Sequence, residues 1–404
     1  MHAICILRGG AMMKYEFDKV IDRSRNYSAK WDELGKIFGR EDLIPMWVAD
    51  MDFLSPGPVI DALVARAKQG IYGYTSRPDS YFEAVARWMK RRHNWKVKTD
   101  WMIFSPGVVP ALSFIVNAFT HPGDKVIVQP PVYYPFFKVI EDNGRRVVNN
   151  PLRFKNGRYV MDFEDLEEKA KDPLVKLLFL CSPHNPVGRV WTEEELKRLG
   201  RICIDNHVLI VSDEIHQDIL YPGIKHIPFA SISEEFALNS ITCTAPSKTF
   251  NLAGLQTSTI IIPNKVHYET YKNIMTRVHL LRDNAFGLVA LQAAYNHGEE
   301  WLDQFLEYLD GNLKTLMKGM EDEIPQIKVV KPEGTYLAWV DFSELGLDTD
   351  ELNDFIINKA RLALDDGSWF GMGGKGFQRI NLACPRVYIK KALTQLKDAI
   401  AQLS

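Results

Sequence analysis

Between Trp101 and Pro263, short apolar runs alternate with stretches of helical period. "WMIFS" is followed by "GVVPALSFIVNAF", and "KVIVQPP" by "YYPFFKVIEDNG". "RRVVNN", "VKLLFLCSP", "HVLIVSDEI", "SITCTAP" and "TSTIIIP" continue the series. Several of these runs are apolar throughout instead of alternating, as in strands buried on both faces of a mostly parallel sheet. Thr192 and Glu195 in "TEEEL" form a capping-box signature at the start of one intervening helix. The pattern predicts a wound α/β domain.

The rhythm changes outside this region. One long helical stretch is expected from His267 to Asn296, then a second helical run ending near Met320. "IKVVKPEGTYLAWVDF" reads as a pair of strands, "DELNDFIINKARLAL" as a helix, "FQRINLAC" as a strand and the last residues as a helix. This mixture predicts a smaller α+β lobe. The expected division is a large domain over 61–294, a small C-terminal domain over 295–404, and a segment 14–60 packing with the small domain. Residues 1–13 read as a disordered extension, with Met12 or Met13 as the true start. There are no internal repeats.

Composition narrows the function. Hydrophobic residues are 46% and charged residues 25%, with a formal net charge of −2. Acids and bases are interspersed, so nothing marks a nucleic-acid or membrane-surface partner. The chain lacks an uncharged run of membrane-spanning length. Five scattered cysteines (Cys5, Cys181, Cys203, Cys243, Cys384) show no metal-like spacing and read as thiols of a reducing cytoplasm. A small-molecule partner is expected.

In an open α/β sheet, ligands bind beyond the carboxyl ends of the strands. There the sequence places Gly107, Val108 and Val109 at a helix start, where free N–H groups form an anion site. The other strand ends supply Tyr133 and Tyr134, Asn185 in an Asn-Pro turn, Asp213 with Glu214 and His216, and Lys248. Each is common as plain structure: a glycine before a helix is usually only a turn, and loop lysines are usually solvated. Their convergence on one sheet edge matches the needs of pyridoxal phosphate. Its aldehyde takes an unprotonated lysine amine, its ring nitrogen a carboxylate, its ring face an aromatic plate and its phosphate helix-end N–H groups.

The motifs "PMWVADMDF", "YGYT", "PPVYYPF", "SPHNPVGRVW", "SDEIHQDI", "APSKTFNLAGLQ" and "FQRINLACPR" occur in this order. From about Tyr15 to its end the chain resembles the fold-type I aminotransferases of class I/II, within them the cystathionine β-lyase or C–S lyase branch. The resemblance implies the aspartate aminotransferase-like fold and pyridoxal 5'-phosphate as cofactor. It implies Lys248 as the Schiff-base lysine and acid/base, Asp213 at the ring nitrogen, and Asn185 at the ring 3-oxygen. It also implies Tyr133 on the ring face, and Gly107, Val108 and Ser247 on the phosphate. Tyr74 would reach that phosphate from the second subunit of a homodimer with composite sites. Arg379 would fork the substrate carboxylate, near Ala49.

Three positions depart from the commoner family pattern. His216 stands where many members have a tyrosine, and would act as a neutral donor or as a cation. Gln256 replaces a phosphate-binding arginine and Ala245 a frequent serine, which shifts phosphate binding toward backbone N–H groups, Ser247 and Tyr74. Other residues read as structural: His184, Arg386, the "RRHNWK" cluster as a solvated helix end, and "GMGGKG" (371–376) as a flexible loop without phosphate-loop spacing. The implied reaction is α,β-elimination from L-cystathionine or related S-substituted cysteines to a thiol, pyruvate and ammonia. The alternative is an aminotransferase for aromatic or aliphatic amino acids, with Trp47, Phe53, Tyr72, Tyr133 and Trp369 as a candidate apolar pocket. A regulatory or protein-binding role on the same fold is the distant alternative.

Overall fold

The computed structural model describes residues 15–403. The expected extension over 1–13, with Cys5, Met12 and Met13, lies outside them. Seven strands form the central sheet: β1 (Met102–Ser105), β2 (Lys125–Val128), β3 (Arg146–Asn149), β4 (Val175–Cys181), β5 (Leu209–Asp213), β6 (Ser240–Thr244) and β7 (Ser258–Ile261). Their spatial order is β1-β7-β6-β5-β4-β2-β3. All pairs are parallel except the two made by β7, which is antiparallel to both β1 and β6. Strands β4, β5 and β6 are buried almost without interruption, which is why their sequences do not alternate. The α/β fold with a mostly parallel sheet is therefore as expected.

A second sheet contains β8 (Lys328–Val330), β9 (Leu337–Asp341), β10 (Asp365–Asp366) and β11 (Phe377–Asn381) in the order β8-β9-β11-β10, all antiparallel. A 25-residue helix, Glu299–Glu323, runs beside the closing helix Arg386–Ile400. The N-terminal segment meets these elements twice. Ile44–Pro45 pairs in parallel with Leu362–Ala363, and Phe17 and Phe53 pack on Trp301, Phe305 and Tyr308.

Two helix expectations need correction. The stretch 267–296 is two helices, Lys265–Arg277 and Ala285–His297. His279 takes a left-handed turn, and the Asn284 side chain caps the second helix by accepting from the N–H groups of Phe286 and Gly287. The helix expected to reach Leu364 ends at Lys359 in a single wide π turn. Arg361 then adopts positive φ, and Leu362–Ala363 extend to pair with the N-terminal segment.

The segment 47–53 is fixed as a strap across the join of the two sheets. Buried Lys30 donates to Asp52 at 2.6 Å, and Arg23 bonds both Asp50 and Asp52. Asn381 donates to the carbonyls of Val48 and Asp50. Asn251 accepts from Met51 N–H and donates to the carbonyls of Met51 and Phe53. Asn251 lies three residues after Lys248, and Asn381 two after Arg379. Both clamps therefore sit beside candidate site residues.

Candidate active site

Tight turns bring the strand ends together. Gly107, at φ +120°, occupies the cap of the helix Val108–Phe119 without a side-chain capping bond, so the first N–H groups of that helix point outward. Beyond β4, Asn185 N–H donates to Cys181 Sγ at 3.3 Å, and the thiol reaches the Pro183 carbonyl at 3.4 Å. Beyond β6, a short helical turn starts at Pro246 and carries Ser247 and Lys248. Thr249 anchors that turn by donating to Asp218, which also takes bonds from Trp88 and His93.

The result is a cavity of about 260 Å³. Ala49, Gly107, Val108, Val109, Tyr133, Asn185, Asp213, His216, Ser247 and Lys248 all line it. Arg379 is not on its wall, but donates to Asn185 Oδ1 at 3.0 Å and so adjoins it. Tyr74 is not brought to it. That side chain is 96% exposed, on a loop where Arg282 covers its ring at 5.3 Å.

The amine of Lys248 donates to the carbonyl oxygen of Ala49 at 2.7 Å. The same oxygen accepts from Tyr336 Oη at 2.8 Å. Burial, then the nearby charge of Arg379, bring the Lys248 amine down to about 8, against the opposing pull of Asp50 and Asp213. Burial pushes the Asp213 carboxyl up to about 7, although Ile215 N–H and Lys248 favour its charge. Its strand neighbours across both ladders are Cys181 and Cys243, two weakly polar thiols. A cation arriving beside Asp213 would restore its charge. Burial, followed by repulsion from Lys248 and Arg379, holds His216 well below its usual range, so the imidazole is neutral. Its Nδ1 has no partner, and its ring packs edge-on to Tyr336.

These groups fit pyridoxal phosphate. An amine that gives up its proton more easily than an ordinary lysine suits its aldehyde, and a buried carboxyl raised by desolvation suits a protonated ring nitrogen. Helix-end N–H groups with Ser247 suit its phosphate. Sequence reasoning missed Thr257 and Ser258, which also line the cavity. Because β7 runs in reverse, its entrance shares the edge where the other strands end. Cys181, Tyr336 and Asp365 were also missed: strand pairing with Asp213 and Arg379 reveals Cys181 and Asp365, and the bond to the Ala49 carbonyl reveals Tyr336.

Several side chains are structural. His184 bonds the Pro131 carbonyl at 2.9 Å and stacks edge-on with Trp191, as expected of a structural histidine. Arg386 packs over the Tyr308 ring and bonds Asn312. The "RRHNWK" reading needs correction: Arg91 and Arg92 pair with Glu299 and Asp303, and His93 is buried against Asp218. The 371–376 loop is tightly packed where a side chain on Gly367 or Gly374 would collide with the opposing backbone, at 2.1 and 1.9 Å. Within one chain the five residues of the candidate aromatic pocket do not line a common cavity. Of its five residues only Tyr133 lines the cavity, while Phe53 is in the core and Tyr72 lies on the exposed Tyr74 loop.

Residues 42–396 match the model of the aminotransferase class I and II family. The chain belongs to that family. It is 47% identical to cystathionine beta-lyase PatB of Bacillus subtilis (strain 168), over 95% of this chain and 100% of the relative. Cystalysin of Treponema denticola, whose crystal structure contains a pyridoxal 5'-phosphate cofactor, superposes with a TM-score of 0.94. It is 40% identical, over 97% of this chain and 100% of that one. A cofactor-bound protein of Clostridium difficile 630, described as an aminotransferase, also gives 0.94 at 53% identity, over 96% and 100% of the two chains.

The phosphate end of the cavity generates a prediction. Ser247→Ala should weaken pyridoxal phosphate binding by about tenfold, and Gln256→Arg should tighten it by about the same factor. Titration of cofactor-free protein, followed by absorbance, measures both. Unchanged affinity in the two variants would mean that the phosphate lies elsewhere.

Proposed function

We propose that the protein is a pyridoxal-phosphate-dependent carbon–sulfur β-lyase of the cytoplasm. It cleaves L-cystathionine or related S-substituted L-cysteines to a thiol, pyruvate and ammonia. One observation carries the amino-acid chemistry: the lowered Lys248 amine and the raised Asp213 carboxyl line one cavity, and Arg379 adjoins it through Asn185. The likeness to PatB over nearly all of both chains supports elimination as the outcome.

Pyridoxal phosphate, when bound, supplies an electron sink for the pair left at the substrate Cα. Lys248 would hold the cofactor, and its free amine would accept the substrate Cα proton at Nζ. The Ala49 carbonyl and the Tyr336 hydroxyl bonded to it hold that amine on the strap side of the cavity. Asp213 would stabilise a protonated ring nitrogen, and Asn185 with neutral His216 would serve the ring 3-oxygen. Tyr133 supplies the stacking face. Arg379 receives the α-carboxylate and fixes which substituent meets Lys248. The Cα–H electron pair becomes the Cα–Cβ double bond as the Cβ–S bond breaks, and the sulfur leaves with a proton from Lys248 or a water. Hydrolysis of the released enamine yields pyruvate and ammonia.

An aminotransferase would use the same parts, and the Clostridium difficile relative is described as one. We further propose a two-fold dimer in which Tyr74 completes the neighbouring site, in keeping with the exposure of Ile71, Tyr72 and Tyr74 on one loop. Sedimentation at the mass of a single chain would sink the dimer.

The test of the reaction is incubation of holoenzyme with L-cystathionine and no keto acid. Sustained, equimolar release of pyruvate and thiol over many turnovers is expected. Neither product alone, with amino transfer starting only on addition of 2-oxoglutarate, would assign the protein to the aminotransferases instead.

A further inference from the structure

Arg379 is more heavily engaged than a receptor awaiting a carboxylate needs to be. Nη1 donates to Asn185 Oδ1 at 3.0 Å. Nη2 donates to the Trp47 carbonyl at 2.9 Å and also bonds Asp365. Nε is buried without a partner. A carboxylate grips a guanidinium at two points along one of two edges, end-on through Nη1 and Nη2 or side-on through Nε and Nη2. Both edges use Nη2, and two acceptors already take its two hydrogens.

One of these acceptors is itself a carboxylate. Asp365 lies directly across from Arg379 in the pairing of β10 with β11, and is 1% exposed. Its Oδ2 holds the arginine, while its Oδ1 has no partner. Burial pushes its carboxyl up to about 6 against the pull of Arg379, and Asp366 adds to the rise. The phenols of Tyr133 and Tyr134 face the same pair, and Lys248 and His216 feel the Arg379 charge.

We propose that Asp365 is a positioning residue that occupies Arg379 until a substrate carboxylate displaces it, so that carboxylate recognition is an exchange of one anion for another. The proposal rests on Arg379 being the carboxylate receptor. Its consequence is selectivity. A simple organic acid gains only the arginine and has to unseat Asp365, whereas an amino acid also gains its bond to the cofactor. The internal carboxylate therefore keeps stray anions out of a buried cationic site, and it keeps Arg379 aimed along β11 between turnovers.

Propionate, which cannot react, is the probe. In Asp365→Asn holoenzyme, which keeps the shape and removes the charge, propionate should bind about tenfold more tightly than in the unaltered holoenzyme, read from the cofactor absorbance. Unchanged or weaker binding overturns the exchange and leaves Asp365 as a support only. Arg379→Lys separates the two ideas: if it leaves propionate affinity intact, the reading of Arg379 fails first. A crystal structure of the unaltered holoenzyme with propionate does not depend on a variant folding. Propionate on Nη2 with Asp365 released supports the proposal, and a two-point propionate with the Asp365 contact intact contradicts it.

Discussion

A lysine amine that must react at neutral pH has to lose most of its water without gaining a counter-charge. The direct partner of Lys248 Nζ is the Ala49 carbonyl, which offers one hydrogen bond and no formal charge, and burial with Arg379 outweighs the opposing pull of Asp50 and Asp213. Much of the architecture serves to place this one oxygen. The ionic clamp of Arg23 and Lys30 on Asp50 and Asp52 holds the strap in place, and two asparagines define its path. Each asparagine follows closely on a residue of the site, so the strap registers the lysine turn of one sheet against the arginine strand of the other.

The charges around the cavity are arranged as an incomplete set. Burial holds the Asp213 carboxyl high in spite of Lys248, His216 is neutral, and the helix beginning at Val108 offers N–H groups without a capping side chain. In the proposed placement, pyridoxal phosphate would meet these groups with a ring nitrogen, a ring oxygen and a phosphate. Arg379 differs, since its charge is already balanced by Asp365. The cofactor positions are poised for a permanent resident and the carboxylate position for a visitor.

The central sheet was legible because its middle strands are buried on both faces and so appear as unbroken apolar runs. The residues at strand ends were legible for the same reason: a parallel sheet sends them all to one edge. Where a strand reverses, that logic fails, and so Thr257 and Ser258 went unseen. Asp365 was hidden because its role exists only through its pairing with Arg379 across two strands. The helix boundaries near 279 and 361 escaped because apolar residues continue through both breaks, which are marked by positive backbone angles at His279 and Arg361, the Asn284 cap and the π turn ending at Lys359. His93 looked solvated among arginines, yet the turn of its helix buries it against Asp218. The choice of elimination over transamination was not written in any pattern of residue types, since both reactions begin with the same proton transfer.

The most direct test of the central claim is the titration of Lys248 in cofactor-free protein, followed by the pH dependence of its reaction with an amine-directed reagent and located by peptide mapping. A midpoint at about 8 is expected, because burial and the neighbouring Arg379 disfavour the charged amine. A midpoint near the ordinary lysine value of about 10.4 would show that the strap carbonyl leaves the amine solvated, and the assignment of Lys248 as a pre-activated amine would fall.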